Sequence, residues 1–239
     1  MRLDKVGNGF AQSFADVANI SITLQTIEKD ESQRDRLLDS YLADYKQFNE
    51  AINDFLSEHL LNCKLNFDTY YNGTYTNRVE IVENNRTKYK DEFDHYYILA
   101  NFSMEMPIVN NDRSVLAQFT MMLDELSKHM YVRYHVAFDL SEQLRAKLSA
   151  EATNNALDNI KIEVMRIASH LGFNNVTLMQ IDFVSQPTRY ASNLDMIEKQ
   201  SKFSTSSMTP AEKVQLLEDM LQSKEIKVYS NFISVWEIK

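Results

Sequence analysis

The chain has 239 residues, with 34 acidic against 25 basic side chains and a net charge of −9. That balance excludes a phosphate backbone as the main partner, because such binding rests on clustered Lys and Arg. The single cysteine, Cys63, excludes an internal disulfide, and no stretch approaches the roughly 20 apolar residues of a membrane helix. Hydrophobic residues at 44% and charged residues at 25% are the balance of a folded globular chain. Only four glycines and three prolines are present, so long regular elements are expected rather than many tight turns.

The first clear element is a strand over residues 17–28. Ile20, Ile22 and Leu24 alternate there with Asn19, Ser21 and Thr23, the pattern of a half-buried strand. Asp30, with Gln33 three residues on, opens a helix over residues 31–61. Its stripe is Leu38, Tyr41, Tyr45, Phe48, Ile52, Phe55 and His59. Cys63, Leu65 and Phe67 then alternate with polar residues. Asn72-Gly73 predicts a hairpin turn, because both residues tolerate positive φ, with a return strand over residues 74–82. A polar stretch, 83–92, precedes a long strand over 93–106, ended by Pro107. Asp112 is placed to cap a helix over 113–130, and a strand over 131–140 follows.

Ser141 then caps a second long helix, residues 142–171. Its stripe reads Ala146, Ala150, Thr153, Leu157, Ile160, Val164, Ile167 and Leu171, small in the first half and bulky in the second. The first half is therefore expected to lie close to a neighbouring backbone. Gly172 supplies the positive φ that stops the helix, and residues 175–183 return as a strand. Residues 186–208 form a long polar loop, rich in Ser, Thr and Asn. Thr209-Pro210-Ala211-Glu212 is a strong helix start, with proline at the first helical position and a capping glutamate. A last strand over 226–238 carries Trp236.

These elements predict one α+β domain over residues 1–239, in which a mixed, partly antiparallel sheet is covered by two long amphipathic helices. The loop at 186–208 and a helix-strand return at 209–239 complete it. The run Glu151-Ala152, Ala156-Leu157, Ala168 and Leu171-Gly172, followed by a hydrophobic strand, resembles the C-terminal signature of the SIMPL domain family. Gly7-Asn8-Gly9, followed by Asp16-Val17-Ala18-Asn19-Ile20, resembles that family's Gly-x-Gly opening and its Pro-Asp-x-Ala strand entry, with Ala15 in the proline's place. Thr153 stands where the family usually has Arg, and Ile160 and Val164 replace alanines. The resemblance implies a bacterial α+β domain of poorly defined function, with an assembly or stress-related envelope role in exported members. The chain as written has no apolar leader and is expected in the cytoplasm, or in the periplasm or outside if a signal peptide has been removed.

No catalytic, cofactor or metal constellation is expected. Three of the five histidines, His59, His129 and His170, fall at predicted helix ends, where free carbonyls accept from them; His95 and His135 fall in strands. Glu125 and His129 lie one turn apart as a common surface pair. There is no H-E-x-x-H, C-x-x-C or G-x-S-x-G. Gly7-Asn8-Gly9 lacks a third glycine and precedes a strand rather than a helix, so a chain-entry or edge contact is expected in place of a phosphate loop. Cys63 reads as a small core residue. The tyrosines Tyr70, Tyr71, Tyr75, Tyr89, Tyr96 and Tyr97 flank the hairpin and long strand, where sheet packing is expected and stacking on a ligand or partner is the alternative.

The expected function is non-enzymatic: a SIMPL-like domain that assembles with itself, and with a protein partner as a further option. Residues 62–106 are the expected contact region. Tyr96, Ile98, Phe102 and Met104 are the residues placed at the self-association surface, on the two-sided apolar content of their strand. The alternative is a small-ligand binder or enzyme with its site under the 186–208 loop.

Overall fold

The computed structural model describes residues 1–83, 86–183, 209–220 and 225–239. The chain runs through β1 (Arg2–Phe14), β2 (Val17–Glu28), α1 (Leu37–Glu58), β3 (Asn66–Glu83), β4 (Arg86–Pro107), α2 (Ser114–Leu126), β5 (Tyr131–Asp139), α3 (Glu142–His170), β6 (Val176–Phe183), α4 (Pro210–Met220) and β7 (Glu225–Ile238). The class is α+β. The strands form two sheets, ordered β1-β7-β6 and β3-β4-β2-β5, and every pairing is antiparallel. The two long helices take one sheet each: α1 lies on β2 and β4, and α3 lies on β1 and β7.

One residue ties the sheets where the chain passes between them. Asp16 sits between β1 and β2, and its carboxylate accepts from the backbone N–H and the hydroxyl of Ser141, both at 2.6 Å. Ser141 in turn accepts from the Leu144 N–H at 3.2 Å and so caps α3. The Asp16 carbonyl accepts from the Ile108 N–H at 2.7 Å, just past the end of β4. The start of α3, the turn between the sheets and the end of β4 are thereby fixed to each other.

Under α1 the seam is filled with large side chains. Phe48, Ile52 and Phe102 are fully buried against Ile20, Ile22 and Leu24 of β2. The helix stripe begins at Leu37 rather than Leu38, which is exposed. A 3-10 turn over Glu31–Arg36 precedes α1, and its tighter winding shifts the phase. Under α3 the seam is narrow. Its buried residues are Leu148, Ala152, Ala156, Ile160, Val164 and Ala168. They share only Ile160 and Val164 with the expected stripe, so the true face is rotated. A four-residue repeat drifts around a helix of 3.6 residues per turn, and the twisted sheet beneath follows that drift. The small first half of the helix does lie on a backbone. A Cβ at Gly9 would lie 2.7 Å from the Ala156 nitrogen and closer still to the Ala152 carbonyl oxygen. Gly172 ends the helix at φ +79, as its position indicates.

Three further differences from the sequence reading follow. Residues 2–14 are a strand, the edge of the three-stranded sheet. Asn72-Gly73 does not turn the chain: it lies inside β3, opposite Ile98 and Tyr97. Gly73 is instead a packing glycine, since a Cβ there would meet the Tyr97 hydroxyl at 2.8 Å. Residues 86–92, expected as a polar connection, form the first third of β4 and pair with β3. The 186–208 loop lies outside the described residues. Beyond it, the capping box of α4 is formed: Glu212 accepts from the Thr209 N–H at 2.7 Å, and the Glu212 N–H donates to the Thr209 hydroxyl at 3.3 Å.

Candidate functional site

The β3–β4 ribbon is the part of the chain that outgrows its support. β2 pairs with β4 only from Pro107 back to Tyr96. Among the described residues, β4 pairs with β3 alone from His95 to Arg86. At about 3.3 Å per residue, this leaves a two-stranded arm roughly 30 Å long. β3 ends its sheet, and among the described residues no strand pairs with its outer edge.

Directly opposed residues share a face, so the register sorts the aromatic side chains. Tyr70 lies on the helix side, edge-on to Tyr41 of α1 with ring centroids 6.1 Å apart. Tyr96 is half-buried on that side under the Arg34 guanidinium, 5.4 Å from its ring centre. Tyr71, Tyr75 and Tyr97 lie on the opposite face, beside Leu99 and His95. Tyr71, Tyr75 and Tyr89 are exposed. The tyrosines therefore divide between helix packing and an open aromatic surface.

Three of the four residues expected at the self-association surface are core residues. Ile98, Phe102 and Met104 are each no more than 3% exposed. They point to the α1 side of β4, and Phe102 packs against Phe48 at 5.3 Å and Tyr45 at 5.8 Å. Their apolar alternation marks the helix-covered face, which has no surface to offer a partner. Tyr96 alone retains partial exposure. Of the exposed aromatic residues, Tyr71 and Tyr75 sit on the facing strand and on the opposite side of the sheet, Phe67 and Tyr70 lie on the helix side, and Tyr89 belongs to β4 itself. The signal available in the sequence was the β-branched and aromatic run 67–82, read as two strands because Asn72-Gly73 split it.

The described polar groups near the arm are fastened to one another. His95 Nδ1 lies 2.5 Å from Asp94 Oδ2, and the Asn77 amide donates to Asp94 Oδ1 at 2.7 Å. The His95 ring stacks on Tyr75 at 5.1 Å. These contacts clamp the two strands of the ribbon together. His59 closes the end of α1: its ring nitrogens lie 3.0 Å from the Phe55 carbonyl and 3.0 Å from the Gln118 side-chain oxygen. Glu125 pairs with Lys128. Cys63 is half-buried at the margin of the main core, and burial pushes its thiol pKa up, which disfavours a reactive thiolate. Among the described residues, no three His, Cys, Asp or Glu side chains gather as a metal ligand set, and no helix is long and apolar enough to cross a membrane.

No protein-family model matches the chain, and no curated protein is significantly similar to it.

Proposed function

We propose that the chain is a non-enzymatic SIMPL-like assembly domain that self-associates through the β3–β4 arm. The observation that carries this reading is the arm itself. It is a two-stranded ribbon on whose outer edges no strand pairs among the described residues, and it exposes Tyr71, Tyr75 and Tyr89. Open strand edges are templates for pairing with another chain and are ordinarily shortened, charged or covered. Tyrosine is a favoured contact residue because it supplies large area with few rotatable bonds. Asp16, in the resembled strand-entry motif, holds the first turn of α3, and Gly9, in the resembled opening, admits that helix; both fit the SIMPL reading.

Native mass spectrometry of the full chain at micromolar concentration tests it. An oligomer is expected, its mass lowered by a Tyr71→Asp/Tyr75→Asp double variant that keeps its circular dichroism spectrum. A monomeric wild-type protein at that concentration removes the proposal. So does an oligomer whose mass the double variant leaves unchanged.

A further inference from the structure

The alternation in β1 is inverted relative to that in β2. β1 turns Gly7, Gly9 and Ala11 toward α3 and turns Val6, Phe10 and Phe14 away from it. Val6 is 63% exposed and Phe10 50%. Opposite them on β7, Ile233 pairs with Val6 and Tyr229 with Phe10, and both are exposed. The Phe10 and Tyr229 rings lie 6.2 Å apart. The bulky side of β1 therefore faces away from the helix, while β7 turns Val228, Phe232 and Trp236 toward it. β2 shows the ordinary arrangement: apolar residues under α1, and Asn19, Ser21 and Thr23 on the open side. The described helices pack elsewhere: α3 on the opposite face, α1 on β2 and β4, α2 on β5, and α4 on α2.

We infer that this face packs on the same face of a second copy of the chain, across a two-fold axis that crosses the strands at Asn8 and Asn231. Three features select this occupant. The face is laid out symmetrically about the Asn8–Asn231 pair, with Val6 and Ile233 two residues to one side and Phe10 and Tyr229 two residues to the other. Rotation sets the smaller aliphatic pair of one copy on the larger aromatic pair of the other, with Asn8 over Asn8. This is the self-complementarity an isologous contact requires.

The size also suits. Strands of 13 and 14 residues, with a shorter third beside them, give a sheet about 40 Å long and about 14 Å wide. Two such faces bury on the order of 1,000 Å², where specific interfaces begin, and sheets pack face to face readily in aligned geometry. Charge of both signs is kept to the margins of the face: Arg2, Asp4 and Glu237 lie at one end, Glu225 and Lys227, whose ammonium sits 5.3 Å from the Phe10 ring centre, at the other, and Asp182 beside Ile233.

This contact does not involve the β3–β4 arm, and the two are separable by experiment. In a Cys63→Ser background, Asn8→Cys places a thiol at the axis. Mild oxidation of the full chain at micromolar concentration is expected to give a disulfide-linked dimer, while Asn154→Cys, exposed on the outer side of α3, gives none. Phe10→Asp is expected to lower the native mass by a factor of two with an unchanged circular dichroism spectrum. The inference is overturned if Asn8→Cys stays monomeric under oxidant, or if Phe10→Asp folds and keeps the wild-type mass. A Phe10→Asp chain that melts earlier at unchanged mass would show that another part of the same chain covers the face, and would overturn it equally. A lowered mass in the Tyr71→Asp/Tyr75→Asp variant with the Asn8 cross-link retained would support both contacts. A retained cross-link with no effect of that arm variant would leave this contact standing and remove the arm.

Discussion

The two helix–sheet seams solve one problem in opposite ways. Under α1, burial comes from large side chains: Phe48, Ile52 and Phe102 interlock with Ile20, Ile22 and Leu24. Under α3, in the helix's first half, it comes from the removal of side chains: Gly9 on the strand meets Ala152 and Ala156 on the helix. The first seam depends on volume being present, because each buried methylene contributes by leaving water and by touching its neighbours. The second depends on volume being absent, so that backbones approach. The sign of the tolerated change therefore differs: loss of atoms should damage one seam and gain of atoms the other.

The largest expected effect is Phe102→Ala. Phe102 contacts Tyr45, Phe48 and Phe67 and is 2% exposed, so truncation leaves a cavity among rings that cannot all collapse. A loss of about 3–5 kcal/mol is expected from urea denaturation. A loss below about 1 kcal/mol would mean that this seam is not packed as described.

The opposite test is Gly9→Ala. The added methyl would meet backbone atoms of Ala152 and Ala156, which cannot rotate away. A loss of about 3 kcal/mol is expected, at the upper end for overpacking. Gly7→Ala should cost about 1 kcal/mol, because its nearest obstacles are the movable Ile160 terminus and the Phe232 ring. Equal effects at the two glycines would break the distinction between backbone and side-chain contact.

The same contrast explains what could be read in advance. The seam built from large residues was legible: Tyr41, Phe48, Ile52 and Phe55 recur with helical spacing, and Ile20, Ile22 and Leu24 alternate. The ends of β2 follow its alternation, and the ends of β5 and α3 lie within about a residue of their expected places, since Ser141 and Gly172 mark the helix chemically. The seam built from small residues was not legible as a seam. Gly7, Gly9 and Ala11 form one face of a strand, but glycine has no strand preference of its own, so β1 escaped notice. On α3, bulkier Leu157 and Ile167 drew the stripe away from Ala152, Ala156 and Ala168. Asn72-Gly73 carried the local chemistry of a turn, and packing under Tyr97 overrode it. For the candidate site, alternation alone turns Ile98, Phe102 and Met104 outward, whereas the fold buries them under α1. Alternation names a face; only the placement of α1 says which face is covered.

Where the seams meet, Asp16→Ala tests their coupling. It removes two hydrogen bonds from a carboxylate to Ser141 and with them the support of the α3 cap. A loss of about 2 kcal/mol is expected, the scale of charged hydrogen bonds. Amide exchange should quicken in the first turn of α3 and leave α1 unchanged. Uniform quickening in both helices would show that the seams do not open separately.

Alkali should act on the aromatic side. Burial, then the Asp124 charge, push the Tyr134 pKa up, and its hydroxyl donates to Asp124 at 2.7 Å. Burial likewise raises Tyr41. A phenol raised in the folded state contributes stability that is complete below its unfolded pKa of about 10 and lost as pH rises through the folded value. Absorbance at 295 nm should therefore show late-titrating tyrosines that ionise together with unfolding. Tyr134→Phe should remove part of that late step. A single smooth titration of all twelve tyrosines near pH 10 would contradict the burial of this side.

The smallest expected effect belongs to the other seam and to acid. Lys5 of β1 donates to Glu163 of α3 at 2.5 Å, bridging strand and helix. That hydrogen bond, with the lysine's charge, holds the Glu163 carboxyl below its ordinary range. A carboxyl depressed in the folded state contributes stability present above its unfolded pKa of about 4.3 and lost as pH falls through the folded value. The pair is partly exposed, so its contribution is screened and modest. Glu163→Gln should lower the urea midpoint slightly at pH 7, and its midpoint should coincide with wild type at pH 3. Added salt at pH 7 should shrink the difference, as screening requires. A difference that persists at pH 3 would assign it to packing of the side chain rather than to its charge. The narrow seam would then rest on shape alone, with no electrostatic bridge between β1 and α3.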